Sequence, residues 1–367
     1  MKDVVTIFLD LTKRSSPSKN EREVADYIKD YLSEYPSLTV IEDDSGTKIG
    51  GNTGNLIVTL PGSGPHILFD AHMDTVAPCE RIQPLIQEGM IVSDGSSVLG
   101  ADDKSGIALM LALIDHLMRS DEVHPPVTFL FTICEEESLQ GAKNIDQNYL
   151  KLVDYAFVLD GEGPIGTVVV KTPHGCKGTL KVIGKEAHAG ACPEEGINAL
   201  AVAAEAITAL PIGRIDEETT CNIGTIQGGS ATNVVMGEVT MQFEARSFRL
   251  ETLDRVRKQV EETFMASCLK YGATFKESLR LGTPGYHVYG NKKILSCFRK
   301  ACETRRITYK ETVCGGGSNA NVYRQQGLEA VTLSTNMQHI HSVKETISIA
   351  DLKEMLALLK QLLQEIE

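Results

Sequence analysis

The sequence predicts an α/β protein in which a mixed, mostly parallel sheet flanked by helices carries an inserted α+β domain. The chain of 367 residues exceeds the length at which one hydrophobic core usually stops growing, so two domains are expected. In the first half, apolar strands alternate with helical patterns, as in sheets that helices cover on both faces. Between about residues 176 and 284 the pattern becomes βαββαβ, which is typical of a ferredoxin-like domain.

The predicted elements follow this plan in order. Apolar periodicity in the first half predicts helices near 21–35 and 105–119, and strands near 55–60, 66–70, 127–133 and 155–159. The inserted region is predicted to contain strands at 178–183, 221–227, 239–248 and 273–281, with helices at 198–210 and 250–271. After the inserted region we predict helices at 292–305 and 348–366 and a short strand at 328–332, which belong again to the first α/β domain. We therefore predict a discontinuous catalytic domain, 1–175 with 285–367, and an inserted lid domain, 176–284.

Charge and composition argue against several classes of function. The formal net charge of -13, without a concentrated basic run, argues against a nucleic-acid partner. No apolar stretch is long enough to span a bilayer. Asp3, Asp10 and Lys13 interrupt the apolar residues of the first segment, which we interpret as an amphipathic helix and not a signal peptide. The nine cysteines form no Cys-x-x-Cys pair, which favours a reduced, cytoplasmic protein.

Two segments in the first half place candidate metal ligands at the ends of predicted elements. His72 and Asp74 stand two apart where an apolar strand ends, so in extended backbone their side chains point the same way. A histidine that ligates a metal commonly donates its other N–H to an oxygen, which offers Asp74 a supporting role; a surface pair is the alternative. Asp102 and Asp103 precede a helix, where they could cap it, or Asp102 could bridge two cations.

Further candidates follow two more strands and lie near the C-terminus. An apolar strand leads directly into Glu135, Glu136 and Glu137, whose charges repel unless a cation relieves them; a solvated acidic loop is the alternative. One glutamate could ligate a metal while its neighbour handles the proton of a water. Asp160 ends another strand, and His341 offers a second imidazole. Binding sites in open α/β sheets form beyond the carboxyl ends of strands, so these residues predict a metal site.

The chain resembles the co-catalytic zinc exopeptidases and deacylases, a family that includes peptidase T, glutamate-releasing carboxypeptidases and aminoacylases. The resemblance covers nearly the whole chain and is carried by His72-Met-Asp74, Gly100-Ala-Asp102-Asp103-Lys104, Glu135-Glu136, Asp160 and His341-Ser-Val-Lys-Glu345. It is strongest toward the peptidase T-like members, because Leu-Gly-Ala-Asp-Asp-Lys-Ser-Gly is present and Asp160 opens an Asp-Gly-x-Gly run.

The resemblance implies a pair of divalent ions, zinc being expected and cobalt or manganese being alternatives. His72, Asp102 and Asp160 would hold one ion, while Asp102, Glu136 and His341 would hold the other. Asp102 would therefore bridge them. A cis peptide bond after Asp102 is a further implied feature.

The resemblance also implies that Glu135 is the general base and that Asp74 supports His72. Relatives usually carry glycine two places after the glutamate pair, whereas serine stands here, so the pair could instead be Glu136-Glu137. We favour Glu135-Glu136, because Thr132 then stands three residues before the pair, as in the family.

The inserted domain supplies three candidate substrate-binding residues through the same resemblance. His188 would reach the substrate carbonyl, Asn233 would bind substrate, and Arg246 could stabilise an oxyanion or clamp a carboxylate. Packing within the inserted domain is the alternative for these residues. Asn319 stands where relatives carry aspartate, which would make the charge near the substrate one unit less negative.

These predictions describe a dinuclear zinc metallopeptidase that hydrolyses short peptides, as a peptidase T-like aminopeptidase releasing the N-terminal residue of tripeptides. An N-acyl amino acid deacylase or a dipeptidase with the same metal centre is the alternative. A non-catalytic peptide-binding protein is a more remote one. The expected partner is a short peptide, with neither nucleic acid nor membrane, and the lid domain could pair two subunits as a homodimer.

Overall fold

The computed structural model describes residues 2–80, 82–282, 284–290 and 292–366, and it divides the chain into two compact units. One unit combines the chain up to Lys171 with the chain from His287 onward. The other is Thr172–Tyr286, and the predicted lid at 176–284 lies within it.

The helices and strands are numbered in chain order. Before the second unit they are α1 (Val4–Thr12), α2 (Arg22–Leu32), β1 (Val40–Glu42), α3 (Ser45–Ile49), β2 (Leu56–Leu60), β3 (Ile67–His72), β4 (Leu85–Gln87), β5 (Met90–Val92), α4 (Ala101–Arg119), β6 (Val127–Thr132), α5 (Gln140–Asn144), β7 (Tyr155–Glu162) and β8 (Thr167–Lys171). Within the second unit they are β9 (His174–Ile183), α6 (Ala199–Thr208), β10 (Gly213–Asp216), β11 (Thr219–Gly228), β12 (Glu238–Ser247), α7 (Leu250–Tyr271), β13 (Thr274–Glu277) and β14 (Arg280–Leu281). After it they are α8 (Lys293–Arg305), β15 (Lys310–Val313), α9 (Asn319–Gln325), β16 (Glu329–Met337), β17 (Thr346–Ser348) and α10 (Ile349–Gln364).

The first unit is built on an 8-stranded sheet with the order β1-β2-β6-β3-β7-β16-β8-β15. Its central strands β6, β3, β7 and β16 are mutually parallel, whereas β2 and β8 pair antiparallel with their central neighbours. Every residue of β3 and β6 is buried, as expected for parallel strands covered on both faces. The carboxyl ends of the central strands therefore meet at one edge of the sheet.

Helix α4 covers the centre of this sheet. It packs against β3 and also contacts α1 and α10. On β3, the Phe69 ring packs against Phe129 and Phe157, with both centroid distances at 5.9 Å. A separate 3-stranded sheet, β17-β5-β4, lies within the same unit. None of the helices in the described part of the chain is both long enough and apolar enough to cross a bilayer.

The second unit is an antiparallel sheet with two helices packed on it. The strand order β11-β12-β9-β13 is that of a ferredoxin-like βαββαβ fold, and β10 adds an edge strand beside β11. Helices α6 and α7 pack against β9 and β12, and their apolar side chains form one core with those of the sheet.

The structure departs from the predicted elements in three places. The strand predicted at 273–281 is interrupted at residues 278–279 and forms β13 and β14, which pair with β9 in one continuous register. The regular part of α4 starts near residue 105, as predicted, because Asp102 and Asp103 in its first turn have non-helical φ/ψ values. Strand β16 continues to Met337, beyond the predicted end at 332. The prediction also missed several short elements, namely strands β1, β4, β5, β8, β10, β15 and β17 and helices α3, α5 and α9.

Candidate metal centre

The central parallel strands bring most of the predicted ligands to one edge of the sheet. His72 is the last residue of β3, and Asp160 lies two residues before the end of β7. Glu136 follows the end of β6, and His341 follows the end of β16. Asp102 comes from the first turn of α4, where its φ/ψ values are not helical.

Asp102 lies between the two histidines. Its Oδ1 is 2.9 Å from Nε2 of His72, and its Oδ2 is 3.1 Å from Nε2 of His341. The two oxygens of one carboxylate thus face two different imidazoles. The peptide bond between Asp102 and Asp103 is cis, as the resemblance implies.

Glu136 and Asp160 complete the cluster. Ligand atoms of His72, Asp102 and Glu136 all lie within 4.8 Å of one another. Glu136 Oε1 lies 2.9 Å from His341 Nε2, yet this buried oxygen has no hydrogen bond of acceptable geometry within the described residues. Asp160 Oδ1 is 3.9 Å from His72 Nε2. Close ligand atoms that face one another without hydrogen-bond geometry fit a position between them for a cation.

Asp74 ties three of these segments together. Its Oδ1 accepts the backbone N–H of Glu135 at 2.9 Å. Nδ1 of His72 lies 2.9 Å from the backbone carbonyl oxygen of Asp74 and 3.3 Å from its Oδ1. Its Oδ2 accepts the N–H of Glu136 at 3.2 Å and the hydroxyl of Ser18 at 2.7 Å. The side chain is fully buried. Asp74 therefore orients His72 through its backbone carbonyl and holds the loop that carries both glutamates through its carboxylate.

The crowded carboxylates of the cluster shift the pKa values of its members in the directions that favour added positive charge. The Asp102 and Glu136 carboxylates, at 3.1 and 2.9 Å from its Nε2, raise the pKa of His341 to about 10. Although burial opposes the charged form, hydrogen bonds to Asp102 and Asp74 raise the pKa of His72 well above its ordinary value. Burial and the charge of Asp102 raise the pKa of Asp160 strongly. Such shifts are expected where carboxylates crowd without a cation.

Glu135 lies beside the cluster, whereas Glu137 lies outside it. Glu135 is buried, and burial together with the charges of Glu136 and Asp74 raises its pKa well above the usual range. The Glu137 side chain is half exposed and pairs with Lys19. This placement favours Glu135-Glu136 over Glu136-Glu137 as the functional pair.

Two buried carboxylates near the site received no role from the sequence. Glu345 accepts the backbone N–H groups of Gly100 and Asp102. Glu21 accepts the N–H of Cys134 at 3.0 Å, directly before Glu135. Ionised carboxylates are rarely buried without partners, so a buried glutamate implies that hydrogen-bond donors lie next to it. The partners themselves are distant in sequence and could not be read from it.

Asn319 lies behind the ligand-bearing strands. Its side chain is 1% exposed, and Nδ2 donates to Asp70 Oδ1 at 3.0 Å and to Thr132 Oγ1 at 2.8 Å. The other oxygen of Asp70 accepts the hydroxyl of Tyr323 at 2.7 Å. Asn319 thus serves a buried network beneath His72, two residues along β3 from Asp70.

The lid residues fall into two groups. Nδ1 of the exposed His188 accepts the N–H groups of Gly190 and Ala191, which leaves the ring hydrogen of the neutral form on Nε2. The carbonyl of Asn233 accepts the N–H of Ala189, so the His188 and Asn233 segments are neighbours. Arg246 lies elsewhere: Glu238 of β12 pairs with Ile183 near the His188 end of the sheet, whereas Arg246 pairs with Gly175 at the other end. The structure therefore brings together His188 and Asn233 but not Arg246.

At the ends of the parallel strands, imidazoles and carboxylates lie around one shared aspartate. This arrangement places the chain in the class of metal-dependent hydrolases with the zinc-exopeptidase fold. The model of the "Peptidase dimerisation domain" of the M20 type matches residues 174–272, and that of "Peptidase family M28" matches residues 55–201. The uncharacterized protein YqjE of Bacillus subtilis (strain 168) is 34% identical over 360 residues, which are 98% of this chain and 96% of that protein.

Two solved structures are similar over almost the whole chain. The aminopeptidase PepT from Bacillus cereus ATCC 10987 is 35% identical, with 99% of this chain and 98% of that chain covered and a TM-score of 0.88. A tripeptidase from Staphylococcus aureus subsp. aureus Mu50 is 30% identical, with 99% and 97% covered and a TM-score of 0.93. The chain belongs to the peptidase T-like members of the M20 metallopeptidase family. This confirms the resemblance and the predicted fold class.

Proposed function

We propose that the protein is an aminopeptidase that releases the N-terminal residue of tripeptides and uses two zinc ions to do so. The observation that carries the proposal is Asp102, whose two carboxylate oxygens face the imidazoles of His72 and His341. A carboxylate placed in this way is suited to bridge two cations. The similarity to the solved structures of an aminopeptidase and a tripeptidase supports the choice of substrate.

The residues present fit two divalent ions. His72, Asp102 and Asp160 would hold one, and Asp102, Glu136 and His341 would hold the other. Imidazole nitrogens with carboxylate oxygens are a ligand set that zinc favours. The three ligand carboxylates and Glu135 together carry four negative charges, which two divalent ions would balance. Ions held there would supply Lewis-acid activation of water and of the scissile carbonyl.

The proton transfers are assigned to Glu135. Its carboxyl is buried close enough to His72, Glu136 and Asp102 for their charges to act on it, and its backbone N–H donates to Asp74. In our mechanism the Glu135 carboxylate accepts a proton from the attacking water and then donates it to the leaving amine. A raised pKa suits a group that must both take up and release a proton near neutral pH.

The lid would contribute to substrate binding from two subunits. A hydrogen on His188 Nε2 could be donated to the oxygen of the scissile carbonyl as it gains negative charge. Along β12, the eight residue steps from Glu238 to Arg246 separate the two ends of the lid sheet by about 26 Å. A tripeptide spans only about 10 Å when extended, so it could not contact both His188 and Arg246 of one chain. A homodimer, in which one of these residues comes from the partner, would resolve the conflict.

The proposal is tested with a substrate panel on zinc-loaded protein. Free tripeptides should be cleaved at the first peptide bond, and a chelator should abolish the activity until zinc is restored. Dipeptides and N-acetylated or N-succinylated amino acids serve as the comparison. Faster hydrolysis of the acylated amino acids would identify a deacylase and would contradict the proposal. Binding of peptides without any chelator-sensitive hydrolysis would identify a binding protein.

The shared-site model has its own test. Inactive His188→Ala and Arg246→Ala variants are mixed under conditions that exchange subunits. Recovery of activity in the mixture is the expected result, because some active sites of the heterodimer would combine both native residues. A mixture that stays inactive although heterodimers form would contradict the model.

A further inference from the structure

Glu345 lies where it can control the geometry of the proposed bridging aspartate. Its Oε2 accepts the N–H of Gly100 at 2.6 Å, and its Oε1 accepts the N–H of Asp102 at 2.9 Å. The side chain is 1% exposed. Both carboxylate oxygens thus accept backbone N–H groups, one on each side of Ala101, and the second of these N–H groups belongs to Asp102 itself.

The same short segment also holds His341. His341 stands four residues before Glu345, and its Nε2 lies 3.1 Å from the Oδ2 of Asp102. Segment 341–345 therefore contacts Asp102 twice. The His341 side chain lies at its carboxylate oxygen, and the Glu345 side chain accepts its backbone N–H. The relative position of two proposed ligands depends on how firmly this segment is fixed.

The fold fixes this segment from both sides. The N–H of Glu345 donates to the carbonyl of Ser342 at 3.1 Å, which closes a turn directly after His341. Strand β17 begins at the next residue and pairs with β5, with buried Ile347 opposite Ile91. The small three-stranded sheet thus anchors the carboxylate at a position that does not depend on α4.

We propose that Glu345 is a positioning residue, which sets the orientation of Asp102 and its distance from His341 by clamping the Gly100 and Asp102 N–H groups. The inference rests on the proposed role of Asp102 as a metal ligand. Neutralising Glu345 as glutamine would keep one acceptor but would turn an amide N–H toward one of the two backbone N–H groups. Changes to groups that orient a ligand typically cost about 10- to 100-fold in metal affinity.

The test uses full-length Glu345→Gln and measures zinc affinity by competition with a chromophoric chelator. Hydrogen exchange at the amides of Gly100 and Asp102 is measured on the same metal-free samples. The expected result is about 10- to 100-fold weaker zinc binding, with faster exchange at these two amides. Glu345→Asp keeps the charge on a shorter side chain and should weaken zinc binding in the same direction, so it replaces the glutamine variant if that variant does not fold.

Asp115→Asn is the matched control. Asp115 is also a buried carboxylate on α4 with two hydrogen bonds, from Tyr31 and Tyr35 at 2.6 Å each, but it lies about 20 Å along the helix from Asp102. It should lose stability and keep wild-type zinc affinity. Equal zinc affinity in Glu345→Gln and wild type, or an equal loss in Asp115→Asn, would overturn the inference. Wild-type protein that binds no zinc would instead overturn the proposed function.

Discussion

Replacing Asp74 by asparagine tests whether one buried carboxylate holds the catalytic loop in place. Asparagine keeps one oxygen, which can still accept the N–H of Glu135. Its amide group would then face the N–H of Glu136, which Asp74 Oδ2 accepts at 3.2 Å. The Ser18 hydroxyl can rotate and accept from the new amide, so one buried backbone N–H loses its partner.

The magnitude follows from these contacts. A buried N–H without a partner costs about 1–3 kcal/mol, and weakening the charge-assisted bond to Glu135 costs about 1 kcal/mol more. We therefore expect the free energy of unfolding to fall by about 2–4 kcal/mol. The loop that loses this bond carries Glu135 and Glu136, so kcat/KM should fall by about 10- to 100-fold, which corresponds to about 1.4–2.7 kcal/mol of transition-state stabilisation.

The assay combines urea unfolding with tripeptide hydrolysis on samples of measured zinc content. Ser18→Ala is the graded comparison, because it removes one donor to Asp74 and leaves the N–H bonds of Glu135 and Glu136 intact. It should cost about 1 kcal/mol of stability and change kcat/KM by less than about 3-fold. An Asp74→Asn enzyme with full zinc content and kcat/KM within about 2-fold of wild type would refute the reasoning.

Three further predictions concern single residues. Glu135→Gln should retain its zinc and lose about 10²- to 10⁴-fold in kcat on tripeptides; substantial turnover by the zinc-loaded variant would remove Glu135 from its role as general base. Asn319→Asp would place a second carboxylate beside Asp70, 3.0 Å from its Oδ1, so urea unfolding should show a loss of at least about 2 kcal/mol at pH 7; unchanged stability would contradict the assigned network. Burial lowers the pKa of His66, so the unfolded state binds more protons near pH 6 and the stability contribution of His66 is lost as the pH falls below about 6.5. His66→Gln should flatten the pH dependence of urea unfolding in this range, and an unchanged slope would contradict the assignment.

Most of the candidate ligand cluster could be predicted because these residues lie at or near the ends of apolar strands. His72 ends one strand, Asp160 lies two residues before the end of another and Glu136 follows a third, so the rule that sites form at carboxyl ends of parallel strands collects them. The roles of individual residues within the cluster came from the family resemblance and not from the pattern alone.

Other features depend on contacts between residues far apart in the chain. The bonds from Gly100 and Asp102 to Glu345 span more than 240 residues, and a carboxylate that accepts backbone N–H groups imposes no residue type on its partner. The break between β13 and β14 separates two segments that pair with β9 in one continuous register, so local periodicity does not record it. Strands β8 and β15 are short and pair with each other from distant segments, so neither stands out from its flanking loops.

The ends of the lid sheet show where residue identity was a poor guide to position. His188 and Arg246 were both assigned to substrate through the resemblance, yet the register of β9 with β12 separates them by most of the length of a strand. Strand register depends on the pairing of whole strands, so the motifs around these two residues could not reveal the separation.

The bridging role of Asp102 is tested most directly by metal stoichiometry. Metal-free wild-type protein is titrated with Zn²⁺ and the bound metal is measured after removal of free ions, in parallel with Asp102→Asn. Two zinc ions per chain in the wild type and loss of high-affinity binding of both ions in Asp102→Asn are the expected results. A single ion in the wild type, or two tightly bound ions in Asp102→Asn, would contradict the shared carboxylate on which the proposed function depends.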